Sequence, residues 1–588
     1  MNKKTFFTLL TAVAMSAGAA AQSAKGGIDE AMFKEISSSY NPSATEKALQ
    51  NIILANPIKT LSVNQENLTE LDTYFSNSVN SKGITNQESS GRCWLFTGMN
   101  VMRAKMIAEQ NLDEFQFSQV YGFFFDQLEK SNLFLQSIID TRKKPQDDRV
   151  VEWLFKNPLS DGGTFTGVAD IITKYGIVPK GVMRETYTSN NTDAFNSLLQ
   201  RKLREFGVRL REASAKGAKE KELIAMKKEQ LKVVYKMLVQ VYGVPPTEFE
   251  WAPKDANGKY REQPQKYTPK SFYEKFVGGD LQNDFVMLMN DPTRPYWKCY
   301  EIEYDRHAYD GHNWLYVNLP LDEIKQMAIA SIKDSTMMYF SCDVGKFLDS
   351  KRGTLDINNY NYDKLFGVEF TMDKRERVMT YDSGSSHAMT LKAVDIDSNG
   401  KPTKWQVENS WGAASGFKGT LIMTDEWFDE YMFRLVVNKK YVPAKVLDVL
   451  KEKPTMLPAW DPMFAPEEGK APVADNNSDT KPYKVFCKVY SRAKSMAMTE
   501  FFMMIDYGQK REKKGALDTI VDKDGNKILF NSDIGIINYM LKRGWELTEY
   551  SFSETNGTYI FAKMVTSDEE IAKDLYTQTD YKKEHSKE

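Results

Sequence analysis

Residues 87–96 read QESSGRCWLF, a turn-forming run that leads into a cysteine and then apolar residues. Beyond Cys93 the apolar residues recur at steps of three and four: Leu95, Met99, Met102 and Met106. This period predicts a helix that begins at Cys93 and buries one face in a core. A helix N-terminus stabilises negative charge, so a thiol there is favoured as the thiolate, which is the nucleophilic form of cysteine.

Three polar side chains elsewhere could complete a site around this thiol. Gln87 could direct an amide N–H at a developing oxyanion, beside the backbone N–H of Cys93. His387 follows a Ser-Gly-Ser-Ser run and opens an apolar strand, so its imidazole can face a cleft while its neighbours pack. Asn409 could accept a hydrogen bond from that imidazole and fix its tautomer. Taken alone, each has a plainer interpretation: a structural cysteine, a core histidine or a turn asparagine.

Several long runs of the sequence, in the same order, resemble the papain-like cysteine peptidases of the bleomycin hydrolase and aminopeptidase C family. These runs lie at 91–96, 160–163, 175–180, 341–346, 387–389, 408–412, 424–428 and 457–463. The similarity extends from about residue 62 to residue 463. By this resemblance Cys93 is the nucleophile, His387 the general base and acid, Asn409 its orienting partner and Gln87 the oxyanion donor.

The resemblance also implies residues that bind the substrate. Gly162 and Gly163 match glycines that pair with the substrate backbone, where a side chain would block a peptide lying alongside. A plain turn is the alternative for this pair. Trp411 is expected at the substrate cleft, covering the bond between His387 and Asn409. The other histidines are expected to be dispensable: His307, His312 and His585.

The predicted fold class is α+β, a papain-like fold with a helical half and an antiparallel β half. A helix-rich region gives way near residue 366 to a strand-rich one, and this order is typical of α+β proteins. We expect an N-terminal arm at 22–80, a peptidase core at 81–464 and a large helical insertion at about 195–275. A Pro- and Asn-rich linker at 465–482 is expected to lead to a small α+β domain at 483–588, with a hairpin turn at Asn556-Gly557.

The N-terminus has the three-part pattern of an export signal. Lys3 and Lys4 precede an apolar run that ends in Ala19-Ala20-Ala21. We therefore expect a signal peptide at 1–21, and a periplasmic or extracellular protein with no membrane association after its removal. The formal net charge of −2 argues against nucleic-acid binding. No cofactor is expected, and no metal, because the four cysteines form no ligand cluster.

One departure from the family leaves the activity open. The chain continues past residue 463, near which relatives end with their C-terminal residues in the cleft. An aminopeptidase acting on peptides is the leading prediction. The alternatives are an endopeptidase with an open cleft and a non-catalytic peptide-binding protein. The resemblance further implies a homo-oligomer, most simply a hexamer.

Overall fold

A computed structural model describes residues 26–255, 257–464, 483–494, 500–508, 517–553, 556–565, 569–572 and 575–585. These residues fall into two compact units, divided between residues 471 and 472. The predicted signal peptide at 1–21 and the predicted linker at 465–482 lie outside the described residues.

The first unit begins with an arm of short helices. These are α1 (Glu30–Ser39), α2 (Ala44–Ala55) and α3 (Ile58–Leu61). Ser43 and Glu46 form a capping box that starts α2. Among the described residues of α1 and α2, none is buried. The arm ends at β1 (Asn77–Ser78), which pairs with residues 393–394 much later in the chain.

The helical half is built on the helix that starts at the cysteine. Its helices are α4 (Cys93–Glu109), α5 (Gln119–Asp140), α6 (Arg149–Lys156) and α7 (Phe165–Tyr175). The start of α4 confirms the prediction. The aromatic helix α5 begins after Ser118, which caps it by accepting from the backbone N–H of Tyr121.

The predicted helical insertion packs against α5. It contains α8 (Tyr187–Asn190), α9 (Asp193–Ala215), α10 (Glu220–Tyr242) and α11 (Pro269–Phe276), with the hairpin of β2 (Phe249–Trp251) and β3 (Gln265–Tyr267) before α11. Leucines at helical spacing, such as Leu199 and Leu203 of α9, are fully buried. The two long helices confirm the helical interpretation of 195–242.

Twelve of the described strands form one mixed sheet, which includes β1. The others are β4 (Phe285–Met289), β5 (Lys298–Ile302), β6 (Leu315–Asn318), β7 (Met338–Cys342), β8 (Leu348–Asp349), β9 (Thr354–Leu355), β10 (His387–Ile396), β11 (Pro402–Glu408), β12 (Thr420–Thr424), β13 (Met432–Asn438) and β14 (Thr455–Leu457). The remaining helices of this unit are α12 (Leu321–Lys333), α13 (Tyr362–Phe366), α14 (Lys374–Met379), α15 (Asp425–Tyr431) and α16 (Ala444–Val449).

The strand-rich half begins at Phe285 rather than near residue 366, so that predicted boundary is wrong. Strands β4, β6 and β7 are short, mainly apolar runs, and periodicity alone cannot separate such a run from a buried helical segment. β10 lies between β7 and β11 and pairs antiparallel with both. A turn at 397–400 joins β10 to β11.

The second unit is a small α+β domain. Its strands are β15 (Tyr483–Ala493), β16 (Phe501–Asp506), β17 (Asp518–Thr519), β18 (Leu529–Phe530), β19 (Glu546–Ser553) and β20 (Asn556–Val565), and its helices are α17 (Asp533–Leu541), α18 (Glu569–Ala572) and α19 (Gln578–His585). They form one sheet in the order β17-β16-β15-β20-β19, with β18 beside β16. Its core includes Cys487, Trp545 and Phe561.

The predicted Asn556-Gly557 turn is wrong by two residues. Both residues belong to β20, where they pair with Ser553 and Phe552 of β19. A Cβ at Gly557 would lie 2.3 Å from the Tyr559 hydroxyl oxygen. The glycine is therefore required by packing within the sheet and not by the turn.

Candidate active site

Cys93 is the first residue of α4 and is completely buried. The preceding turn is fixed by Asp161, whose carboxylate accepts the Gly91 N–H at 2.8 Å. A Cβ at Gly91 would lie 2.5 Å from the other oxygen of that carboxylate, Oδ1, so only glycine allows this approach. Helix α4 packs on β10, the strand that His387 opens.

Gln87 joins the loop before Cys93 to the loop that carries Asn409. Its backbone N–H donates to the Ser410 carbonyl at 2.8 Å, and its side-chain oxygen accepts from the Ser410 hydroxyl at 2.7 Å. Its Nε2 donates to the Ser90 carbonyl at 2.6 Å. A primary amide nitrogen carries two N–H groups, and the bond to Ser90 uses one of them.

His387 and Asn409 are in direct contact. His387 Nε2 lies 2.8 Å from Asn409 Oδ1, and the same oxygen accepts the Ser410 backbone N–H at 2.7 Å. Because that oxygen is an acceptor, Nε2 must carry the imidazole proton and Nδ1 must hold the lone pair. His387 Nδ1 is buried and has no hydrogen-bond partner among the described residues.

The surroundings of the His387 imidazole favour its neutral form when no thiolate lies beside it. Burial lowers the pKa of His387 to about 4, and the hydrogen bond to Asn409 opposes that shift only in part. Trp411 stacks on the ring with 4.8 Å between centroids. Trp411 therefore covers one face of the His387 ring.

Gly162 and Gly163 lie in a loop between α6 and α7. The Gly162 carbonyl accepts from Lys130 Nζ at 2.6 Å. A Cβ at Gly163 would lie 2.2 Å from His307 Cε1, so packing forbids a side chain there even without a substrate. Both glycines line a cavity of about 460 Å³ together with His307.

The segment 459–464 forms another wall of this cavity. Arg434 Nη2 donates to the Met463 carbonyl at 2.6 Å, and the Asp461 carboxylate accepts the Met463 N–H at 2.9 Å. Asp461 also pairs with Arg294 at 3.0 Å. The Phe464 ring packs edge-on against Trp153, with centroids 5.3 Å apart. The segment is thus anchored beside the glycines by buried polar contacts.

Two residues at the site were missed by sequence reasoning. Asp161 accepts from Gly91 and from the Thr192 hydroxyl, and its carbonyl accepts from Trp94 Nε1 at 2.9 Å. His307, expected to be dispensable, is buried against Gly163. The only sequence signal for Asp161 was its place beside the glycine pair, and nothing local pointed to His307.

Within the described part of the chain, no three His, Cys, Asp or Glu side chains gather as metal ligands would. Over the same residues, no helix is long and apolar enough to span a bilayer. The four cysteines, all of them described and buried, are thiols.

The fold and these side chains define a papain-like cysteine peptidase. Residues 27–464 match the model of the peptidase C1-like family. Human bleomycin hydrolase is 41% identical over 427 residues, covering 71% of this chain and 93% of that protein. Aminopeptidase C of Lactobacillus delbrueckii subsp. lactis is 40% identical over 420 residues, with the same two coverages.

The crystal structure of PepW from Lactobacillus rhamnosis superposes with a TM-score of 0.71 at 37% identity, covering 74% of this chain and 99% of that one. The chain belongs to the peptidase C1-like family, among the cysteine peptidases related to bleomycin hydrolase and aminopeptidase C. The matched family residues end at 464, before the second unit.

Proposed function

We propose that the protein hydrolyses peptide bonds through a thioacyl-enzyme formed on Cys93. The observation that carries this proposal is the His387–Asn409 pair, which leaves the Nδ1 lone pair of a buried imidazole as the base. His387 takes the proton of the Cys93 thiol, and the thiolate attacks the peptide carbonyl. The Cys93 backbone N–H and the Gln87 amide stabilise the oxyanion.

His387 then returns the proton to the leaving amine, which departs as the C–N bond breaks. A water molecule, deprotonated by the same imidazole, hydrolyses the thioester and restores the thiol. Asn409 acts only on His387, holding the tautomer and the ring plane. Gly162 and Gly163 offer their backbone to the peptide.

We further propose that the enzyme removes residues from peptide N-termini. The anchored segment 459–464 lines the cavity beside the glycines. This wall favours a peptide whose N-terminus lies at the segment over a peptide that continues past it. Names of relatives such as aminopeptidase C agree with this activity. A carboxylate that meets the substrate amine would come from a cut in the linker or from Glu467 or Glu468, which lie outside the described residues.

Turnover of matched peptides with free and acetylated N-termini tests the activity. We expect the free-amine peptide to lose single residues and the acetylated peptide to resist. Equal internal cleavage of both peptides would establish the endopeptidase alternative. Binding of both without turnover, in a preparation whose Cys93 is reduced, would establish the non-catalytic alternative. Cys93→Ala serves as the background control for contaminating peptidases.

Self-association is proposed from apolar side chains that lie exposed on the first unit. On α1 these are Met32, Phe33 and Ile36, and a second set lies before His387: Phe366, Val368, Phe370, Met372, Met379 and Tyr381. Exposed apolar clusters of this kind commonly mark protein interfaces. We expect a homo-oligomer, a hexamer by analogy with the family, and light scattering at micromolar concentration tests it. A monomeric mass would contradict the proposal.

Export is proposed from the basic and apolar pattern of residues 1–21. The expected mature N-terminus is Gln22, in a periplasmic or extracellular protein. Edman sequencing of the protein purified from its native host tests this, and an intact Met1 in the mature protein would refute it.

A further inference from the structure

A buried charged network lies beneath the glycine loop, defined here as residues 160–164. The Lys130 ammonium on α5 makes three close contacts: Asp126 Oδ2 at 3.0 Å, the Ser160 carbonyl at 3.0 Å and the Gly162 carbonyl at 2.6 Å. An ammonium has three N–H groups, so these contacts use its full donor capacity. Two of the three hold the backbone of the glycine loop.

His307 holds the other end of the same loop. Its Nδ1 lies 2.5 Å from Asp126 Oδ1, and its Nε2 accepts the Thr164 backbone N–H at 3.3 Å. Since Nε2 is an acceptor, the ring proton sits on Nδ1 and is donated to Asp126. Burial, together with the charge of Lys130, lowers the pKa of His307 and keeps the ring in this neutral form.

The network also touches the residue that follows the nucleophile. The Trp94 ring meets His307 edge-on, with centroids 4.6 Å apart, and Lys130 Nζ lies 5.3 Å from the Trp94 ring centroid. Trp94 Nε1 donates to the Asp161 carbonyl within the glycine loop. One set of side chains therefore ties the loop to the start of α4.

A buried ionic network is a weak source of stability, because desolvation offsets most of the attraction between its charges. The network contacts backbone atoms of the loop on both sides of the glycine pair. These backbone atoms define the position of the edge that would bind a peptide. The arrangement fits a role in geometry better than a role in holding the domain together.

We propose that Asp126, Lys130 and His307 are positioning residues, which set the Gly162-Gly163 backbone at the distance from Cys93 that a peptide requires. The proposal rests on the proposed function, in which these glycines bind the substrate backbone. The residues that determine peptide affinity would then lie on α5 and in the segment between β5 and β6. None of them is one of the side chains proposed to react with the substrate.

The test compares two reagents that alkylate Cys93. Iodoacetamide needs only the thiolate, whereas an aminoacyl chloromethyl ketone with a free α-amine must also lie along the glycine loop. The ratio of their second-order rate constants measures peptide recognition separately from thiol reactivity. Lys130→Met removes both bonds to the loop carbonyls, and Asp126→Asn removes the shared carboxylate at constant volume. Lys325→Met is the matched control, since Lys325 is equally buried and paired with Asp425 and Asp429.

We expect the ratio to fall roughly tenfold or more in both network variants, the loss typical of hydrogen bonds to a charged group. In Lys325→Met it should stay within about twofold of the wild type, although stability falls. Peptide hydrolysis should show the same split, with KM raised more than kcat. Thermal unfolding confirms that each variant is folded before its rates are compared.

An unchanged ratio in a folded Lys130→Met or Asp126→Asn protein would overturn the positioning role. An equal loss of both rates would overturn it as well, because the network would then support Cys93 itself. If the wild type shows no preference for the aminoacyl reagent, the proposed function fails first, and this outcome is distinct from the other two.

Discussion

Acid titration of His387 offers a quantitative test of the candidate site. The perturbation is His387→Gln, made in a Cys93→Ala background so that no thiolate can hold a proton on the ring. In that background the structure surrounds the imidazole with burial and a neutral amide, and its pKa is about 4. In the unfolded chain the pKa of a histidine returns to about 6.5.

The sign of the effect follows from proton binding. Between pH 6.5 and 4 the His387 imidazole binds a proton in the unfolded state but not in the folded state. The free energy of unfolding therefore falls as the pH falls through this range. The difference between a pKa of about 6.5 in the unfolded chain and one of about 4 in the folded protein corresponds to about 3.4 kcal/mol of unfolding free energy in full. Of this, about 2.5 kcal/mol is lost between pH 7.5 and pH 4.5.

The assay is urea unfolding followed by tryptophan fluorescence, at both pH values and with both proteins. Other titrating groups, such as Asp126, are present in both proteins and cancel in the comparison. The protein with His387 should lose about 2.5 kcal/mol more on acidification than the His387→Gln protein. Equal losses in the two proteins would refute a buried, neutral imidazole at this position.

Three further predictions concern the chemistry and the cleft. Limiting iodoacetamide should label Cys93 before Cys299 and Cys487, because burial raises the pKa of those two thiols to about 11 and about 12; mass spectrometry of tryptic peptides identifies the first site. Gln87→Ala should lower kcat by roughly 10²–10³ with little change in KM, as steady-state kinetics would show. Gly163→Ala should destabilise the folded protein by about 1–3 kcal/mol and suppress peptide turnover, because the new methyl group overlaps a histidine ring; thermal unfolding and activity measure both effects.

Each of these predictions has an outcome that contradicts it. Early labelling of Cys487, with Cys93 unlabelled, would contradict the assignment of Cys93 as the nucleophile. A pure KM effect in Gln87→Ala would reassign that side chain to substrate binding. Gly181→Ala is the control for Gly163, since a Cβ at Gly181 would meet no atom within 4 Å. Equal stability and equal activity of the two alanine variants would show that the loop at Gly163 adjusts to the extra methyl group.

Local signals in the sequence were enough to predict the elements that carry the candidate chemistry. A turn-forming run and a helical period fix the start of α4 at Cys93, and both features lie within about twenty residues. The start of a strand at His387 is predicted for the same reason, because the Ser-Gly-Ser-Ser run and the apolar residues that follow it are adjacent. Strand β7 escaped prediction, since all five of its residues are buried and residues buried on both faces of a sheet show no alternation.

The supporting contacts of the site could not be predicted, because their partners are far apart in the chain. Asp161 meets Gly91 across 70 positions, and His307 meets Asp126 across 181. No local pattern records such a pairing. The resemblance to a family identified the glycines but not what holds them, so the network under residues 160–164 became visible only in three dimensions.

The long interval between α4 and β10 also affects the timing of activity during synthesis. A ribosome that has just made Cys93 must add the residues up to 387 and 409 before the imidazole and its amide partner exist, which takes on the order of half a minute at ordinary elongation rates. β10 must then insert between β7 and β11 and receive β1 from the start of the chain. Until that closure the nascent chain carries the thiol without its proposed base. If the protein crosses a membrane unfolded, it is therefore inert in the compartment where it is made, and no separate inhibitor is needed to protect the peptides there.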